Sequence, residues 1–250
     1  MLRSPQALVR ETPRVRITRR GRPDDEDLLV LLGWGNRPEH EHVAWLLTRL
    51  VDAGYHVHAV TLPTNGWNFE AQYCDPIATY ARDHGFEVVL SHSTGGLVAE
   101  FLGDYRHVFL SPWWGVVTDG WLDRVVTDVF CRLPTARRLY DPGFDPDAIG
   151  DLKSPAEAAA GPEGISPAFL SMIRDAQARL GTFDRDDVVF YTPEDRIVDP
   201  GAIEARAPPS HRRRYEGGHE CFASSGRDAV LGDLRTALKA GPDALVDDSS

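Results

Sequence analysis

The stretch Val88-Val89-Leu90-Ser91-His92-Ser93-Thr94-Gly95-Gly96 constrains this chain more than any other. An apolar, β-branched run gives way to small residues. Then come Leu97, Val98, Phe101 and Leu102, spaced i, i+1, i+4, i+5 as on the buried face of a helix. A strand that becomes a helix within so few residues must bend sharply, and only small side chains fit two positions to either side of the bend. Ser91 and Gly95 occupy those positions. Such a bend lifts the hydroxyl at its tip, Ser93, above the sheet and turns the next backbone N–H toward the same space. A serine hydroxyl is a weak nucleophile unless a base takes its proton and donors hold the oxyanion that forms. The plain structural account of the same residues is a strand–loop–helix junction in which Ser and Thr cap the helix.

The rest of the chain repeats the strand–helix rhythm. Val15 to Ile17 reads as a short leading strand, and Leu28 to Leu32 as a strand buried on both faces. Val43, Leu46, Leu47, Leu50 and Val51 form one helical face, closed by Gly54. Further strands are expected at 55–61, 86–91, 107–110 and 187–191, and a last helix around Ala229 to Leu238. Alternating strands and helices imply a mainly parallel sheet covered on both sides. Residues 113–181 break the rhythm with helical fragments, prolines and no strand pattern, which suggests an insertion above the sheet. Residues 241–250 read as a mobile polar tail.

An acid and a histidine follow the serine. After Val188-Val189-Phe190-Tyr191 comes Glu194-Asp195-Arg196-Ile197-Val198-Asp199-Pro200. A carboxylate just beyond a strand's C-terminal end is well placed to orient an imidazole. Asp195 stands nearer the strand end and Asp199 is the alternative, otherwise a loop or cap residue. In Gly217-Gly218-His219 two glycines let the backbone carry His219 into a cleft. The order Ser93, Asp195, His219 differs from the orders of the chymotrypsin and subtilisin arrangements.

With Leu31-Leu32-Gly33-Trp34-Gly35, Ser91 to Gly96, Glu194 to Pro200 and Gly217 to His219, the sequence resembles the α/β-hydrolase superfamily from about Val15 to Leu238. Ser91 replaces the first glycine of the usual G-x-S-x-G pattern, and Gly33-Trp34 stands where many members have His-Gly. The resemblance implies an α/β-hydrolase core formed by 1–112 and 182–240, with a helical cap, 113–181, inserted after the sixth strand. It implies Ser93 as nucleophile, His219 as base then acid, and Asp195 as the residue that orients His219. The oxyanion would be held by the backbone N–H of Thr94 together with that of Trp34 or Gly35. Trp113, Trp114 and Trp121 open the insertion and either line a pocket for an acyl group or pack in the core. The expected activity is hydrolysis of carboxylic esters, amides or thioesters. An acyltransferase or C–C bond hydrolase on the same triad, and a noncatalytic binding module of the same fold, are the alternatives.

Composition narrows the partners. A formal net charge of -11 argues against a nucleic-acid or anionic-membrane surface. The three cysteines, Cys74, Cys131 and Cys221, are too far apart for a disulfide framework or a zinc site and suggest free thiols in a reducing compartment. No apolar segment reads as a signal peptide or a membrane span, so a cytoplasmic protein acting on a small acyl substrate is expected, without a cofactor. His56 and His58 alternate on a strand and share a face, and Glu39-His40-Glu41-His42 lies upstream. With no third and fourth ligand at a useful spacing, no metal site is expected.

Overall fold

Leu29 and Leu31 face one hydrophobic core, whereas Leu28, Val30 and Leu32 face another. That is why this run carries no polar residue: a strand covered by helices on both sides has no face for water. The computed structural model describes residues 14–117, 121–143, 145–162 and 164–245. In chain order its main elements are β1 (Arg16–Arg20), β2 (Glu26–Leu31), α1 (Glu41–Asp52), β3 (Tyr55–Thr61), α2 (Asp75–His84), β4 (Val88–His92), α3 (Thr94–Ala99) and β5 (Arg106–Leu110). There follow α4 (Trp121–Cys131), α5 (Pro146–Ile149), α6 (Pro155–Ala159), α7 (Pro167–Gln177), β6 (Val188–Tyr191), α8 (Pro200–Arg206), β7 (Arg212–Arg214) and α9 (Arg227–Ala240).

The strands form one sheet in the order β1-β3-β2-β4-β5-β6-β7. All neighbours are parallel except β1, which runs antiparallel along β3. Helices α1 and α9 cover one face through Val43, Leu46, Leu47, Leu50, Leu234 and Leu238. On the other face lie Ile77 and Ala81 of α2, Leu97 and Val98 of α3, Phe169 and Ile173 of α7, and Ile203 of α8. Local chemistry sets several boundaries. Pro76 stands in the first turn of α2, and Gly85 ends that helix in the left-handed conformation at φ 65°.

Two expectations change. Among the described residues the insertion leaves the sheet after β5, the fifth described strand where the sixth was expected, and returns at β6. Among the described residues β1 is the one strand before β2, and it pairs antiparallel with β3. Among the described residues the insertion holds α4 to α7 and no strand, only the isolated bridges Val116–Val198 and Tyr140–Ile165. The expected mobile tail does not begin at 241. Pro242–Ala244 form a 3₁₀ turn, Leu245 is buried in the core under α9, and its carbonyl accepts a hydrogen bond from Arg213. Residues 246–250 lie outside the described residues. Among the described residues no helix is long and apolar enough to cross a membrane.

Helix α3 and β2 approach closely at Gly95, where a β-carbon would stand 2.4 Å from the Leu31 carbonyl oxygen. Backbone cannot yield as a side chain can, so Gly95→Ala is expected to destabilise the fold by about 2 kcal/mol. Urea unfolding of the variant against the parent measures this.

Candidate active site

Strand β4 is buried along its whole length and ends at His92. The next residue, Ser93, has φ 52° and ψ -117°, a backbone conformation that costs energy for any residue with a β-carbon. Its N–H donates to the Leu110 carbonyl at 3.1 Å, and its carbonyl accepts from Gly96, Leu97 and Trp113 at 2.9, 3.2 and 2.9 Å. These bonds to β5, α3 and the start of the insertion hold the strained turn. Ser91 is fully buried beneath it, and its hydroxyl has no hydrogen-bond partner among the described residues. Thr94 opens α3, so its N–H belongs to the first turn, where amides have no acceptor within the helix.

The second side of the site is the turn after β2. Asn36 N–H donates to the Gly33 carbonyl at 3.1 Å, and Gly35 sits at φ 78°. Gly33 is required by crowding: a β-carbon there would lie 2.5 Å from Nδ1 of His92. The Trp34 indole is fixed by a hydrogen bond from Nε1 to the Thr64 carbonyl at 2.8 Å and by stacking on Phe169.

Asp195 and His219 come together from loops that follow β6 and β7. Nδ1 of His219 lies 2.8 Å from Oδ2 of Asp195. Oδ1 of Asp195 accepts from the backbone N–H groups of Ile197 and Val198 at 2.8 and 3.0 Å. Burial alone would raise the pKa of this carboxyl, but the imidazole and the two N–H groups outweigh it and hold Asp195 below the usual carboxylate value. An ionised Asp195 can only accept here, so Nδ1 of His219 donates the proton between them. Nε2 of His219 is buried and has no hydrogen-bond partner among the described residues. Asp199 is elsewhere occupied: it caps α8, accepting from the Gly201 N–H at 2.8 Å.

The insertion fixes the histidine loop. His219 N–H donates to the Ala148 carbonyl at 3.0 Å and Glu220 N–H to the Ile149 carbonyl at 2.7 Å. A β-carbon on Gly218 would lie 2.7 Å from the Ile149 carbonyl group, so the approach of α5 accounts for that glycine. Glu220 is itself buried. Burial opposes its ionisation, but the Lys153 ammonium at 2.8 Å and a hydrogen bond from Asn36 at 2.9 Å hold its pKa below normal. The Asn36 amide oxygen lies 3.2 Å from His92 Nδ1, and burial pushes the His92 ring down to about 3, so it is neutral. Its ring centroid is 4.8 Å from that of His219.

Ser93, Thr94, Trp34, Gly35, Trp113 and His219 line one cavity of about 120 Å³. His40, His92, Lys153 and Glu220 line it too, and its apolar side is made by Ile149, Pro162, Ile165 and Ile197. A larger open groove of about 710 Å³ runs between Trp67–Glu70 and residues 131–136 but touches neither Ser93 nor His219. Trp114 does not reach the cavity. It packs in the core against Phe109, with the Arg206 guanidinium over its ring. The Trp121 side chain lies outside the described residues. Cys74, Cys131 and Cys221 are free, and burial pushes the Cys74 and Cys221 thiols up to about 12, away from nucleophilic use. The histidines at 40–42 and 56–58 do not gather: His40 lines the cavity, whereas His56 and His58 lie beside Asp27 toward the other end of β3. Asn36, Lys153 and Glu220 were not anticipated from sequence. Only the adjacency of Glu220 to His219 hinted at them.

No family model matches the chain, and no curated protein matches it. Solved structures do. A monoacylglycerol lipase from Paleococcus ferrophilus aligns at TM-score 0.69 and 18% identity, over 89% of this chain and 98% of that one. A soluble variant of monoglyceride lipase from Saccharomyces cerevisiae aligns at TM-score 0.70 and 13% identity, over 91% and 92%. An esterase from Exiguobacterium antarcticum gives 0.63 and 14%, over 91% and 96%. At such identities the likeness establishes a shared fold.

Removing one member of a buried ion pair strands the other charge, at a cost of about 3 kcal/mol or more. Lys153→Met is therefore expected to lower stability by that order in urea unfolding, and the double variant Lys153→Met/Glu220→Gln to lower it by less.

Proposed function

Since this chain has the α/β-hydrolase fold, we propose that it is a serine hydrolase of carboxylic esters that works through an acyl-enzyme. The observation that carries this reading is the pairing of His219 with Asp195 at 2.8 Å while its unpartnered Nε2 and the Ser93 elbow share a cavity. In the mechanism, His219 Nε2 takes the Ser93 proton as Oγ attacks the ester carbonyl. The backbone N–H of Thr94, with that of Trp34 or Gly35, holds the oxyanion. The imidazolium returns its proton to the leaving alcohol, and a water activated by the same nitrogen releases the acid. Asp195 stays ionised, fixes the tautomer and stabilises the imidazolium. The similar structures described above are lipases and an esterase, which agrees with ester chemistry.

The cavity favours small acyl groups. A volume of about 120 Å³ falls below the range of drug-sized pockets, roughly 300 Å³ upward. Trp113 and the insertion's Ile149 and Ile165 bound it.

Ser93→Ala is expected to reduce kcat on p-nitrophenyl acetate by several orders of magnitude, about as much as His219→Ala, because the two act as one unit. Asp195→Asn should cost about 10⁴-fold with the fold intact. Turnover unchanged in Ser93→Ala would refute the assignment. Across p-nitrophenyl esters, kcat/KM should fall at least about tenfold from butyrate to decanoate; a rise with chain length would contradict the small acyl site.

A further inference from the structure

Asp27 begins β2 one residue in, and the sheet register sets it directly opposite His56 on β3. His58 lies two residues further along β3, on the same face. The three side chains converge on one point. His56 Nδ1 is 2.6 Å from Asp27 Oδ1, His58 Nε2 is 3.0 Å from the same oxygen, and the two ring nitrogens are 3.0 Å apart. Hydrogen bonds can join these groups, the carboxylate oxygen accepting from one or both imidazole N–H groups. The same three atoms are also close enough together to share one cation.

A cation would engage all three atoms at once, with both imidazoles neutral and the carboxylate ionised. A point about 2 Å from each, the bonding distance of zinc to imidazole and carboxylate, exists just off the plane of so small a triangle. The surroundings are those of a held ligand set. His58 is buried, its Nδ1 lies 2.7 Å from the Tyr80 hydroxyl, and its ring packs edge-on to Phe86. Such a partner on the far nitrogen fixes the ring and its tautomer for a ligand. Tyr80 is in turn held by Arg19 Nε at 3.0 Å, and Arg19 also contacts His84 at 3.1 Å, so that guanidinium is engaged outside the triangle. Asp27 is one-third exposed, which leaves the centre open to a water as further ligand.

We propose that Asp27, His56 and His58 form a binding site for a first-row divalent metal ion of the zinc, cobalt or nickel kind. Two imidazoles and a single carboxylate favour these over calcium or magnesium. Leu29 lies opposite Val89, so the site and Ser93 are separated by six residues along the strands, about 20 Å at the rise of a strand. The ion therefore ties β2 to β3 at the far end of the sheet and takes no part in the reaction at Ser93.

The test uses full-length protein stripped with EDTA and desalted, then titrated with cobalt chloride. Visible d–d absorption should rise and saturate at one cobalt per chain, and zinc chloride should displace the band and raise the Tm. Asp27→Asn, a partly exposed and nearly isosteric change, should weaken cobalt binding at least about tenfold, as should His56→Gln. Ser93→Ala should bind as the parent does, and ester turnover of the parent should change less than twofold on loading. Absence of a saturable band, or equal affinity in the parent and Asp27→Asn, would overturn the proposal and leave the cluster a hydrogen-bonded one. Neither outcome bears on the serine hydrolase reading.

Discussion

Helix α3 lies so close to β2 that a β-carbon on Gly95 would stand 2.4 Å from the Leu31 carbonyl oxygen, and one on Gly96 would stand 2.6 Å from Pro112. A helix seated that tightly on the sheet can be reached from β4 only through a very sharp turn. Ser93 takes the cost, at φ 52°. Its carbonyl, with three donors from α3 and the insertion, over-determines the conformation, as a strained residue requires if it is to persist. The place of Ser93 and Thr94 on the wall of the cavity that His219 also lines follows from that contact.

The insertion is part of this arrangement, not an ornament above it. Its α5 end supplies the carbonyls of Ala148 and Ile149 that hold the backbone at His219 and Glu220. Lys153, just beyond α5, neutralises Glu220 inside the protein. A buried ion pair gains little net stability, since desolvation offsets its attraction. What it adds here is geometry: the insertion can seat in only one way if neither charge is to be left alone, and that seating sets the depth of the cavity.

Much of this was legible in the sequence, for identifiable reasons. Strands buried on both faces are continuous apolar runs, and β2, β4 and β6 read plainly as such. Residues just past the C-terminal ends of parallel strands share one rim, so Ser93, Asp195 and His219 were readable as neighbours despite their separation. What failed depended on register and on side-chain direction in irregular backbone. Trp113 and Trp114 are adjacent in a loop, and nothing in their order says that one turns to the cavity and the other into the core beside Phe109. The convergence of Asp27 with His56 needs the pairing of β2 with β3, which no local pattern prints. Leu245 was hidden in a polar tail because Ala244-Leu245-Val246 is too short a run to show a period.

The central claim is that Ser93 is a nucleophile activated by His219. Intact-mass and peptide mapping after treatment with a fluorophosphonate tests it most directly, since such a probe reacts only with an activated hydroxyl. The account predicts one adduct per chain, on the peptide carrying Ser93, and none in His219→Ala. A folded protein that stays unlabelled, or that carries the adduct on another residue, would contradict it.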